Sequence, residues 1–128
     1  FVYMTGLAGK GGGYQNAKNS AKIFNKLNPY FISVDSLTLF PNTELYKMAQ
    51  RKLFVSAEEK ERIRELQILI YSLSIRTHLF ANTVSNFMPV TAYLPYEREK
   101  IISELQFVLD NTEESKMQEY RKNLKSLG

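Results

Sequence analysis

Apolar positions along the chain change their spacing several times, and each change marks a predicted element. Phe1-Val2-Tyr3-Met4-Thr5 is a short apolar run of the kind that forms a buried strand. The glycine-dense stretch Gly6-Leu7-Ala8-Gly9-Lys10-Gly11-Gly12-Gly13 ends it. From about Tyr14 to Leu27, the residues Ala17, Ala21, Phe24 and Leu27 recur at helical spacing. Lys18, Lys22 and Lys26 flank that stripe as a solvated face. Asn28-Pro29 stops the helix, because the residue before a proline is pushed out of helical space. Tyr30–Val34 follows, with enough aromatic and β-branched character for a second strand. Strand, glycine turn, helix and strand make one β-α-β unit, with parallel strands and a right-handed crossover.

Helical spacing dominates the rest. Asn42 or Thr43 can cap a helix over Glu44–Lys52, where Leu45, Met48 and Ala49 share a face. Ser56-Ala57-Glu58-Glu59 has capping-box spacing and predicts the start of the strongest helix, about Ala57 to Thr77. Ile63, Leu66, Ile70 and Leu73 form its stripe, and Ile68, Leu69 and Tyr71 widen it. Between Leu79 and Ala92 the small polar residues and Pro89 predict an ordered loop. Tyr93-Leu94-Pro95 then opens a helix with Ile101, Ile102, Leu105, Val108 and Leu109 on its core face. Asn111 or Thr112 can cap a last helix from Glu113 to about Lys125, striped by Met117, Tyr120 and Leu124. The predicted fold class is α/β: one parallel β-α-β unit followed by a mostly helical C-terminal region.

Composition narrows the chemistry. With 128 residues, 44% of them hydrophobic, the chain can bury one core. No apolar run approaches the roughly 20 residues that span a bilayer, and no signal-peptide pattern opens the chain, so cytoplasm is the expected compartment. The lack of an initiator Met suggests a fragment or a processed chain. There is no cysteine, so this chain supplies no disulfide, thiolate nucleophile or thiolate metal ligand. The single histidine, His78, leaves little for zinc chemistry and reads as a helix-end dipole partner. The net charge of +4 comes from the first part: residues 1–55 carry seven Lys/Arg against two Asp/Glu, residues 56–128 ten against eleven.

Five of the six glycines lie between Gly6 and Gly13, which marks close backbone approach or left-handed turns. The stretch could cradle an anion at a helix N-terminus, or it could be only a flexible turn. It is not a Walker A loop, because Lys10 is followed by glycine, and the dinucleotide fingerprint fails at Tyr14. Asn82–Asn86 could offer amides and hydroxyls to a polar ligand but suits a structural turn as well. Glu58-Glu59-Lys60-Glu61-Arg62 reads as a solvated first turn with local ion pairs.

Thr5-Gly6-Leu7-Ala8-Gly9, then a helix, then Asn28-Pro29-Tyr30-Phe31-Ile32-Ser33-Val34-Asp35-Ser36-Leu37-Thr38-Leu39-Phe40-Pro41-Asn42-Thr43-Glu44-Leu45-Tyr46 resembles a segment of radical S-adenosylmethionine enzymes. It looks most like the group containing oxygen-independent coproporphyrinogen oxidases and related Fe–S oxidoreductases. Ser85-Asn86-Phe87-Met88-Pro89 with Tyr93-Leu94-Pro95 resembles the tail of a small subgroup, which tends to have histidine where this chain has Thr83. The resemblance implies that residues 1–55 are the last βα units of a partial TIM-like barrel, with residues 56–128 a helical region packed on them. It implies that Gly6, Leu7, Ala8 and Gly9 lie near the adenosine of S-adenosylmethionine, with Leu7 and Ala8 against the adenine. Asp35, Ser36 and Leu37 would add backbone contacts. The family's three-cysteine motif lies in the first barrel half, so the [4Fe-4S] cluster would belong to that half and neither cofactor is expected on this fragment alone.

The expected partners are the missing N-terminal barrel half and, through bare strand edges, a second copy of the chain; neither a membrane nor nucleic acid is expected. Two other classes stay open: a standalone nucleotide- or nucleic-acid-binding module using the basic glycine loop, and a helical interaction domain with an inert glycine turn.

Overall fold

The computed structural model describes residues 1–125; the last three residues of the predicted C-terminal region lie outside them. The elements are β1 (Val2–Thr5), α1 (Gly13–Leu27), β2 (Phe31–Ser36), α2 (Glu44–Gln50), α3 (Glu59–Ser72), β3 (Thr77–Ala81), β4 (Val90–Leu94), α4 (Arg98–Asn111) and α5 (Glu114–Lys125). The fold is mixed α/β, with a four-stranded sheet in the order β1-β2-β3-β4. β1, β2 and β3 run parallel, and β4 returns antiparallel along β3.

Alternation along the strands puts one set of side chains under the helices. Tyr3, Ile32, Val34, Leu79, Ala81, Val90, Ala92 and Leu94 are buried there with Ile63, Leu66, Leu69 and Ile70 of α3. Ala17 and Ala21 of α1 are fully buried in the same core, and their small side chains bring α1 close to its neighbours. The alternate residues lie on the opposite face, where Val2, Phe31, Phe80 and Tyr93 are exposed. His78 stacks on Tyr93 there, with ring centroids 4.5 Å apart.

The β-α-β unit forms where the sequence predicts it. Asn28 closes α1 in the left-handed conformation at φ 52°, and Thr43 caps α2 by accepting the Tyr46 N–H at 3.2 Å. Two strands were not anticipated. The predicted helix to Thr77 ends at Ser72, and the expected loop between Leu79 and Ala92 is largely the β3–β4 hairpin. His78 therefore lies in a strand and not at a helix end. Tyr93 and Leu94 close β4, so the next helix begins only at Arg98. Thr77, Leu79 and Ala81, and then Val90, Ala92 and Leu94, carry a period-two pattern, but each run is only five residues long. Continuity with the long apolar stripe of α3 hides the first run, and the flanking Asn, Ser and Pro residues hide the second. The Ser56 capping box does not form: α3 starts at Glu59, and its first N–H groups find a carboxylate from α5.

If α1 depends on alanine-sized contacts, Ala21→Leu should overpack the core and cost about 1–3 kcal/mol in urea unfolding. A variant as stable as the parent would mean that α1 sits loosely on its neighbours.

Candidate functional site

The C-terminal ends of β1 and β2 and the glycine loop form one edge of the molecule. The Leu37 N–H donates to the Thr5 carbonyl at 2.9 Å, which carries the parallel pairing past the strand ends and sets Gly6 beside Ser36-Leu37. Gly6, Gly9 and Gly11 have φ of 81°, 79° and 81°, a region that side-chain-bearing residues avoid. Gly13 is glycine for a second reason: a Cβ there would stand 2.9 Å from the Glu65 carboxylate. Gly6 and Gly9 are buried in this turn, whereas Leu7 and Ala8 are exposed at its tip.

The N–H groups of the loop's glycines are already engaged. Gly6 N–H donates to Glu65 Oε1 at 3.0 Å, and Gly11 N–H donates to Glu61 Oε2 at 2.9 Å. Gly13, the first residue of α1, reaches the same Glu61 oxygen at 3.5 Å. The first turn of α1 has no acidic residue and no side-chain cap of its own. Glu61 of α3 supplies the negative charge that such a terminus favours. The anion in the cradle is thus a side chain of this protein.

Glu65 is 1% exposed and joins three elements. Besides Gly6, it accepts the Tyr3 hydroxyl from β1 and the Asn16 amide from α1 at 3.4 Å. Burial pushes the Glu65 carboxyl above the usual carboxylate range, and the bonds from Tyr3, Gly6 and Asn16 offset part of that rise. Burial also raises the Tyr3 phenol, and its bond to Glu65 adds to the rise.

A buried ion cluster lies one helical turn away on the same face of α3. Arg121 of α5 pairs with Glu59 at 2.9 Å, and Arg62 lies 3.6 Å from Glu59. Ser36 Oγ accepts from Arg62 at 3.2 Å and from Arg121 at 3.0 Å; Arg121 also donates to Thr38 at 2.8 Å. Arg62 further donates to the Leu37 and Ala57 carbonyls. Glu114 accepts from the Glu59 and Lys60 N–H groups at 2.8 and 2.9 Å, capping α3 from α5. The cluster fixes the end of β2 against two helices.

Residues 35–37 therefore divide between the two faces. Ser36 and Leu37 are both buried, with the Ser36 hydroxyl on the helix side, and their N–H groups go to Ser85 Oγ and the Thr5 carbonyl. Asp35 faces the open side, where its carboxylate accepts the Thr83 hydroxyl at 2.8 Å. The residues singled out in sequence, Gly6–Gly9 and Asp35–Leu37, do converge at one end of the sheet. The chemistry available for outside contact there is the apolar tip Leu7-Ala8 and the Asp35 carboxylate. In the 82–86 loop, Asn86 is structural: it is buried and donates to the Val34 carbonyl at 2.9 Å.

Sequence reasoning missed Glu59, Arg62, Glu65 and Arg121 as interior residues. Their signal was available in part, since Arg62 and Glu65 interleave with Ile63, Leu66 and Leu69 on the buried side of α3. Compared with protein-family models, with curated proteins and with solved structures, the chain matches none.

Two outcomes follow for stability. Glu59→Ala leaves Arg62 and Arg121 buried without their shared carboxylate and should cost about 3–5 kcal/mol in denaturant unfolding. Glu65→Ala, which orphans the Gly6 N–H and Tyr3 hydroxyl, should cost about 2–4 kcal/mol. Because the Glu65 carboxyl titrates higher in the fold than its unfolded value of about 4.3, the folded state holds the extra proton between those two values. Its contribution is complete below about pH 4 and declines as pH rises through the folded value. Glu65→Gln keeps an acceptor for Gly6 without the charge, so its stability relative to the parent should improve as pH rises from about 4 to 8. A constant or reversed difference would mean that the buried carboxylate ionises without penalty.

Proposed function

We propose that this chain is the C-terminal part of a barrel-type radical S-adenosylmethionine oxidoreductase, completing the sheet and contributing to the cofactor and substrate side. The observation that carries this reading is the one-sided covering of the sheet. Successive parallel strands step in a single direction, β1 to β2 to β3. With right-handed crossovers, such stepping places all crossover helices on one face, as in barrels, whereas doubly wound sheets reverse direction and cover both. Parallel strands are ordinarily covered on both sides, yet here Val2 and Phe31 on the other side are exposed. In a barrel that face turns inward, and the bare edge of β1 pairs with the strand before it.

The candidate residues fit the adenosine side of such a cofactor in part. Leu7 and Ala8 present apolar surface at the C-terminal end of β1, where barrel enzymes keep their sites. Gly6 and Gly9 shape the turn that presents them, and Ser36 and Leu37 brace it from β2. Asp35, facing the open side, borders the substrate space. Bound S-adenosylmethionine and its cluster would supply the radical chemistry. Without cysteine, this chain contributes no cluster ligand, and its part is to position the cofactor and enclose substrate. A free-standing phosphate-binding module has less support, because Glu61 and Glu65 already hold the Gly11 and Gly6 N–H groups and place negative charge in the loop.

The test is the complete gene product containing this segment. It should carry a three-cysteine motif upstream, develop an Fe–S absorption band on reconstitution and cleave S-adenosylmethionine. Leu7→Asp, at an exposed position, should weaken S-adenosylmethionine binding by about tenfold or more while leaving the unfolding curve in place. A gene product without such cysteines, or one that forms a cluster and leaves S-adenosylmethionine intact, would overturn the reading. The chain by itself should associate in sedimentation through its bare strand edges, and a clean monomer at high concentration would count against that expectation.

A further inference from the structure

Past the C-terminal ends of β2 and β3, on the open side of the sheet, lies a cavity of about 550 Å³. That is the size range of pockets that enclose small molecules. Met4, Leu37, Phe40, Val84 and Leu124 give it apolar walls. Asp35, Thr83 and Ser85 bring polar groups to it from two separate segments.

The protons in that polar group can be assigned from donor and acceptor chemistry. A carboxylate only accepts, so the Thr83 hydroxyl donates to Asp35 Oδ1 at 2.8 Å. Thr83 has then spent its one proton, so the 2.8 Å contact between Thr83 and Ser85 has Ser85 as donor. Ser85 Oγ in turn accepts the Ser36 N–H at 3.0 Å. The Thr83 and Ser85 protons both run toward Asp35, whereas Ser36 and Thr38, also in the lining, accept from Arg62 and Arg121 and keep their own. Asp35 is the one charged residue among the described lining residues, and the arginines bonded to lining hydroxyls, Arg62 and Arg121, are paired with Glu59. What the cavity offers is acceptor capacity with negative charge, inside apolar walls.

We propose that this cavity is a binding site for a small amine, an apolar body ending in an ammonium or similar N–H cation that is held by Asp35. Charge-assisted bonding to the carboxylate orients the cation, and Met4, Phe40 and Val84 cover the body. A carboxylate of the same shape is disfavoured, because it meets the like charge of Asp35. The inference rests on the cavity and its hydrogen bonds and does not require the barrel reading.

The experiment is an NMR titration of the 128-residue chain with 2-phenylethylamine and, separately, with 3-phenylpropionate, whose apolar bodies match. The amine should shift the amides of Ser36, Leu37 and Ser85 and bind at least about tenfold more tightly than the acid. Asp35→Asn keeps an acceptor for the Thr83 hydroxyl and should lower amine affinity by about tenfold. Val84→Trp, from an exposed position at the rim, should block the amine by filling the cavity while amides elsewhere keep their positions. Equal affinity for the two probes, no shift at millimolar amine, or amine binding unchanged by both variants would overturn the proposal.

Discussion

One buried carboxylate, Glu65, holds the parts of this fold in register. It takes a hydroxyl from β1, an N–H from the glycine turn and an amide from α1 while riding on the central helix α3. Each of those donors would be costly to bury alone, and each has this one acceptor. The glycine loop follows from the same constraint. Gly13 lacks a side chain because Glu65 occupies the space, and Gly6 turns left-handed where its N–H meets that carboxylate.

The ion cluster extends the arrangement to the chain's end. Glu59 draws Arg62 from its own helix and Arg121 from α5 onto Ser36, so the last helix is tied to the tip of β2. Buried ion pairs contribute little net stability over apolar packing, but they are specific, since a misplaced partner leaves a bare charge. Here that specificity fixes where β2 ends and which of its residues face out. Ser36 points to the arginines, so Asp35 must point to the open side.

Polar and apolar chemistry is thus divided between the two faces of one sheet. The helix-covered side consumes the ionic chemistry of α3 and α5 internally. The other side keeps a largely apolar surface with a single carboxylate at its C-terminal end. That division explains why a basic, glycine-rich stretch, which in sequence could be an anion cradle or a flexible turn, meets carboxylates from α3.

The β-α-β unit was legible in the sequence because local physics decides it. Apolar runs, helical spacing through Ala17, Ala21 and Phe24, and the Asn28-Pro29 stop act within a few residues of one another. Left-handed glycines were legible for the same reason. The β3–β4 hairpin was not, because five-residue strands acquire their state from pairing with β2 and with each other, and their local composition favours turn. Nor was the role of Glu61, which reads as part of a solvated first turn, or that of Glu65, which carries no local signal. Only the packing of α3 across the loop and β1 brings residues some 50 to 60 positions apart into contact, and that packing decides that Glu65 is buried and that Glu61 meets the glycine loop.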